Sequence, residues 1–205
     1  MLFNLLFSSP IVFLILASIL VFSITIHEFA HALMADRLGD PTPRYKGRVS
    51  LNPLHHLDPI GTLAILLVGF GWGKPVPYDP YNLKNPVPDA AKIALAGPAI
   101  NLVIAGLAGL VLNFFSPIPL LQVLLPTAIY LNVMLAVFNL LPVAPLDGSK
   151  VITAILPRQT ALEYQDFMRR YGIWVLLFLI LPIGGRSAIS SLILPIINWL
   201  VNILV

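Results

Sequence analysis

Apolar residues run almost unbroken from Pro10 to about Ala35 and stop at Asp36-Arg37. At ~1.5 Å per residue such a run crosses a ~30 Å hydrocarbon core, and Gly39, Pro41 and Pro43 mark its end. The polar stretch from Asp36 to His56 follows. Leu63–Phe70 is apolar but too short to span, and Gly71-Trp72-Gly73-Lys74-Pro75 comes next. Gly69, Gly71 and Gly73, with Pro75 and Pro77, predict a bent hairpin or extended loop that enters the membrane and returns to the same face. A second full span is predicted over about Ala90–Phe115, with a kink or break near Pro98. The loop Ser116–Leu121 carries no charge, and a third span covers about Gln122–Leu141 before Pro142 and Pro145 interrupt it. Tyr171–Ile183 is a short fourth span, and Ser187–Val205 forms a fifth or lies at the surface. The pattern predicts an all-α polytopic membrane protein. About four to six transmembrane helices, some of them broken, accompany a re-entrant loop or short β element.

Composition narrows this further. Of 205 residues, 58% are hydrophobic and 10% charged, against about 25% charged in an ordinary soluble domain. A single intramembrane domain over 1–205 is expected, with a core of about 10–157 and C-terminal helices over 171–205. The apolar N-terminus has no basic leader region, so the first run is expected to be a retained span rather than a cleaved signal. The absence of cysteine excludes disulfides, thiolate ligands and a cysteine nucleophile. The charge of +3 is informative by position. Arg37, Arg44, Lys46 and Arg48 follow the first span at once, and eleven of the twelve Lys and Arg fall in segments placed on that side, only Arg186 on the other. Such asymmetry marks the cytosolic face. No nucleic-acid partner is expected; the lipid bilayer is the implied surroundings.

Within the first span stands His27-Glu28-Phe29-Ala30-His31. Histidines four apart project from one helical face, and neutral imidazole is a good zinc ligand. The carboxylate between them takes a proton from an activated water and later delivers it to a leaving amine. A purposeless Glu at this depth costs ~2.5–3.5 kcal/mol on insertion scales. By helix rise, the pair sits ~9–15 Å from the cytosolic end. A third ligand must come from elsewhere. Of the nine acids, only Glu28 and Asp147 stand between apolar stretches, Asp147 after the proline-broken helix in Pro142-Val143-Ala144-Pro145-Leu146-Asp147-Gly148. Asp-Gly also reads as a simple turn, and His55 and His56 compete as ligands.

HExxH in the first core helix, with Leu146-Asp147-Gly148 after a later broken helix, resembles the site-2 protease family of intramembrane zinc metalloproteases, nearest its short prokaryotic branch. The likeness covers about Thr25–Ile155. It includes Asn52-Pro53-Leu54, Asp58-Pro59-Ile60-Gly61-Thr62, Gly71-Trp72-Gly73-Lys74-Pro75-Val76, and Ala96-Gly97-Pro98 with Asn101. The resemblance implies Zn2+ on His27, His31 and Asp147, with Glu28 as catalytic base. It also implies that Asn139, eight residues before Asp147, binds the substrate carbonyl or stabilises its oxyanion. A side-chain amide can donate there, or can instead join two spans. Asn101 is read as packing or as support for a ligand.

The function expected is an intramembrane zinc endopeptidase cutting in or near transmembrane segments, in regulated intramembrane proteolysis or removal of signal-peptide remnants. Its implied substrates are single-span membrane proteins or signal peptides in the cell (plasma or inner) membrane, with the active site toward the cytoplasm. The substrate helix must unwind to expose a carbonyl, and the loop over about Arg44–Pro77 is expected to shape its entry, offering a strand edge. The alternative is a polytopic metal-ion transporter or binding protein, which would need no base at Glu28.

Overall fold

A computed structural model describes residues 2–68, 71–115, 118–183 and 186–205. Gly69 and Phe70 in the predicted excursion and Ser116 in the uncharged loop lie outside these residues. The short α1 (Leu2–Ser8) leads into α2 (Pro10–Arg37), which opens on a proline in its first turn, where no donor is lost. A single turn, α3 (Thr42–Tyr45), follows, then a 3-10 turn over Pro53–His55 capped by the Asn52 side chain, then α4 (Pro59–Val68). Irregular chain from Gly71 leads to a second 3-10 turn, Pro80–Asn82, and to α5 (Pro86–Phe115).

Of the kink or break predicted near Pro98, α5 shows no break and continues through it as one helix. Proline in a membrane helix is tolerated where neighbours re-satisfy the freed carbonyl. α6 (Pro119–Asn139) ends as the prolines require, and an irregular segment leads into α7 (Gly148–Ile155). α8 (Arg158–Ile180) begins thirteen residues before the predicted Tyr171. Its polar first half folds as helix with Asp166 paired to both Arg169 and Arg170 at i+3 and i+4 spacing. A two-residue β1 (Pro182–Ile183) pairs antiparallel with β2 (Arg186–Ser187), and α9 (Ala188–Leu204) closes the chain. Leu57 and Gly73 form an isolated antiparallel bridge, so the chain leaves through α4 and returns beside its starting point.

Among the described residues, three helices are long and apolar enough to cross a membrane: α2, α5 and α6. α9 is apolar but has 17 residues. α5 is central and packs on both α2 and α6. Small residues permit the approach, with Ala32, Ala35, Ala94 and Ala105 fully buried. The apolar core of α5, α6, α8 and α9 includes Ile129, Val133, Leu176, Ile193 and Ile197. Phe22, Leu107, Phe114 and Trp174 remain exposed, the arrangement of a bundle whose outer face meets lipid.

A polar knot closes the end of α2 beside the site. Asp40 is fully buried. Its Oδ1 accepts from the Thr42 amide (3.0 Å), the Thr42 hydroxyl (2.6 Å) and Asn82 Nδ2 (2.8 Å), and its Oδ2 from the Asp79 amide (2.7 Å). The turn after α2 is thereby tied to the turn before α5, over a small cluster of Ala35, Leu83 and Ile93.

Candidate metal centre

The i, i+4 spacing on α2 sets the His27 and His31 rings edge to face, 4.6 Å between centroids. Both are buried, at 6% and 7% exposure. Each spends its Nδ1 proton on α5: His27 Nδ1 donates to Asn101 Oδ1 at 3.1 Å, and His31 Nδ1 to the Ile93 carbonyl at 2.6 Å. A carbonyl can only accept, so His31 carries its proton on Nδ1. Both Nε2 atoms are then lone-pair donors aimed at one point, the usual state of an imidazole readied for a metal.

Asp147 comes to that point from the broken segment after α6. It occupies the N-cap position of α7, but its side chain makes no capping bond, so the carboxylate is free to turn inward. Its Oδ2 lies 3.3 Å from His27 Nε2 and 3.2 Å from His31 Nε2. Three acceptors this close, with both imidazole protons already placed, repel one another unless a cation sits among them. The spacings agree with zinc. Bonds of about 2.0–2.1 Å in a tetrahedron separate the ligand atoms by about 3.3 Å. Among the described residues, these three form the one His/Asp/Glu group able to hold an ion.

Gly97 supplies the room. A Cβ there would fall 2.4 Å from His31 Nε2 and 2.6 Å from His27 Nε2. Ile93, Gly97 and Asn101 recur every four residues, so one stripe of α5 orients both imidazoles and leaves space between them. Asn101 was legible as a supporting residue. The Gly97 clearance and the Ile93 carbonyl were missed, although the i, i+4 row of Gly97 and Asn101 inside an apolar span was a usable signal.

Glu28, next to His27, is half-buried and outside the ligand group. Its Oε1 lies against Gly73, 3.1 Å from where a Cβ would stand, and the charges of Arg48 and Lys150 both reach it. Asn139 is the last residue of α6, and its Nδ2 donates to Leu135 O at 2.9 Å. His55 and His56 also stay outside the group, bonded to the carbonyls of Gly47 and Ser50.

Comparison with known proteins agrees in kind. The profile of Peptidase family M50 matches residues 118–180. "Putative zinc metalloprotease YwhC" of Bacillus subtilis is 38% identical over 176 residues, 81% of this chain and 80% of its own. "Putative zinc metalloprotease Rip2" of Mycolicibacterium smegmatis is 34% identical over 147 residues, 67% of this chain and 55% of its own. "Zinc metalloprotease MJ0392" of Methanocaldococcus jannaschii is 28% identical over 152 residues, 74% of this chain and 37% of its own. No solved structure matches the chain.

Proposed function

Since this chain belongs to peptidase family M50, the site-2 proteases, and is a zinc metalloprotease of the membrane, we propose that His27, His31 and Asp147 hold the zinc and that Glu28 is the general base. The observation carrying this reading is the convergence of three acceptors, with Asp147 Oδ2 3.2–3.3 Å from each imidazole Nε2, on a space that Gly97 keeps clear. Zinc held there lowers the pKa of water and polarises a carbonyl.

The remaining chemistry belongs to the chain. Glu28 takes the proton of the attacking water and passes it to the amide nitrogen that leaves. Asn101 and the Ile93 carbonyl keep the imidazole protons on Nδ1 throughout. Asn139 is the donor proposed for the carbonyl oxygen of the substrate: one N–H of its amide is held by Leu135 O, and the second is the one assigned to the oxyanion. The run after Gly71, bridged to Leu57 at Gly73, is the backbone edge proposed for an unwound substrate.

The substrates we propose are single-span membrane proteins or signal-peptide remnants, cut in or near their membrane segment by one domain over 1–205. The assignment of eleven of twelve basic residues to one side supports a site facing the cytoplasm of the cell membrane. Metal transport finds no support, because a transit site has no use for Glu28 and the relatives are named as metalloproteases.

The test is Glu28→Gln. In detergent, the variant is expected to bind zinc at the wild-type ratio and to lose cleavage of single-span substrates. Wild-type cleavage by that variant would refute the mechanism.

A further inference from the structure

Arg48 is an unusual residue to find buried. Its exposure is 4%, and among the described residues it enters no ion pair. Burying a cation with no carboxylate within ion-pairing distance is costly. Its Nη1 is also buried without a hydrogen-bond partner, a cost that calls for a reason.

The contacts it does make are directed at backbone. Nη2 donates to two consecutive carbonyls, Lys74 O at 2.6 Å and Pro75 O at 2.5 Å. The Lys74 amide in turn donates to His56 O at 2.8 Å. His56 is fully buried and fixed by its own Nε2, which donates to Ser50 O at 2.6 Å. Residue 74 is therefore gripped on both its amide and its carbonyl by the segment 48–56. The residue before it is Gly73, which backs onto Glu28 Oε1.

We propose that Arg48 is a positioning residue for the general base: it clamps the Lys74–Pro75 backbone so that Gly73 forms a fixed wall against the Glu28 carboxylate. A guanidinium suits the task because its planar donors have fixed directions, whereas an ammonium on a flexible stem does not. The clamp also accounts for a stretch singled out in the sequence, Gly71–Val76, whose residues supply no metal ligand. The inference rests on the reading of Glu28 as base.

The test uses the full chain in detergent and a pooled library of single-span reporters, each with ~20 apolar residues, cut by wild type, Glu28→Gln, Arg48→Ala and Arg48→Lys. Arg48→Ala is expected to keep its zinc and to lose about 10–100-fold in kcat, with KM little changed. Millimolar guanidinium restores part of that loss, and equal sodium chloride does not. Amide exchange rises over Gly71–Val76 and stays unchanged in α2 and α5. Arg48→Lys falls between wild type and Arg48→Ala; if Arg48→Ala does not fold, the lysine variant carries the test through the same kcat loss at constant KM and zinc content. Wild-type kcat in the variant read, or a kcat loss that follows zinc loss, overturns the proposal. If wild type cuts no reporter, the protease reading fails, and amide exchange over Gly71–Val76 still decides whether Arg48 is the clamp.

Discussion

His27 Nδ1 and Asn101 Oδ1 meet at 3.1 Å across the contact of α2 with α5, both side chains buried. On the proposed assignment one helix supplies a zinc ligand and the other decides which of its nitrogens faces the metal. Asn101→Leu removes the acceptor and leaves the His27 proton free to move to Nε2, where it blocks coordination. Zinc affinity is expected to fall about 10–100-fold, measured by competition with a chelator. Undiminished affinity would mean that Asn101 only fills space.

Gly97→Ala is expected to be more severe. The added methyl would stand 2.4 Å from His31 Nε2 and 2.6 Å from both Cε1 and Nε2 of His27, so it collides with both rings at their coordinating edge. The variant should fold, since alanine is the better helix former by up to about 1 kcal/mol, yet bind no stoichiometric zinc. Gly106→Ala on the same helix is the control, because a Cβ there meets nothing within 4 Å. Equal zinc content in the two variants would contradict the assigned metal position.

Asn132 joins α6 to the ligand face of α2 from the other side. Its Nδ2 donates to Ser23 Oγ at 2.9 Å, one turn before His27, and to Ala128 O at 2.9 Å. Asn132→Leu should cost about 0.6–2 kcal/mol, read as a lower thermal midpoint in detergent. Zinc affinity should change little, because the imidazole orientation is set from α5. A large loss of zinc with an unchanged midpoint would reverse that assignment.

The parts legible in the sequence were those whose chemistry lies in side chains at helical spacing. His27 and His31 declare themselves four apart, and Asp147 stands out because acids are rare between apolar stretches. The broken end of α6 was written in Pro142 and Pro145. Ile93 escaped because a backbone carbonyl has no residue identity, and so did the two carbonyls held by Arg48. Gly97 escaped because its role depends on which stripe of α5 meets α2. The first half of α8 was read as loop because polarity ended the hydropathy signal there, although i+3 and i+4 ion pairs sustain the helix. α5 continues through Pro98 without a break, because packing on both sides holds a helix that the local rule for proline would end.

The acid stability of the fold should depend on Asp40. Burial pushes its carboxyl pKa up, but hydrogen bonds from Thr42, Asn82 and the Asp79 amide outweigh this and hold it below the ordinary aspartate value of 3.8. A carboxyl whose folded pKa is depressed contributes stability that is fully present above its unfolded pKa and lost as pH falls through the folded value. Between pH 5 and 8 that contribution is flat, and below about pH 4 it declines. Asp40→Asn keeps the shape but puts an NH2 group where an oxygen accepts. It is expected to lose about 1–3 kcal/mol at neutral pH, seen as a lower thermal midpoint and faster amide exchange at the Asp79–Asn82 turn. Because the wild type loses its charged acceptor in acid, its advantage over Asp40→Asn must shrink from pH 5 to pH 3. An advantage that stays constant over that range would show that the knot is held by shape rather than by the carboxylate charge.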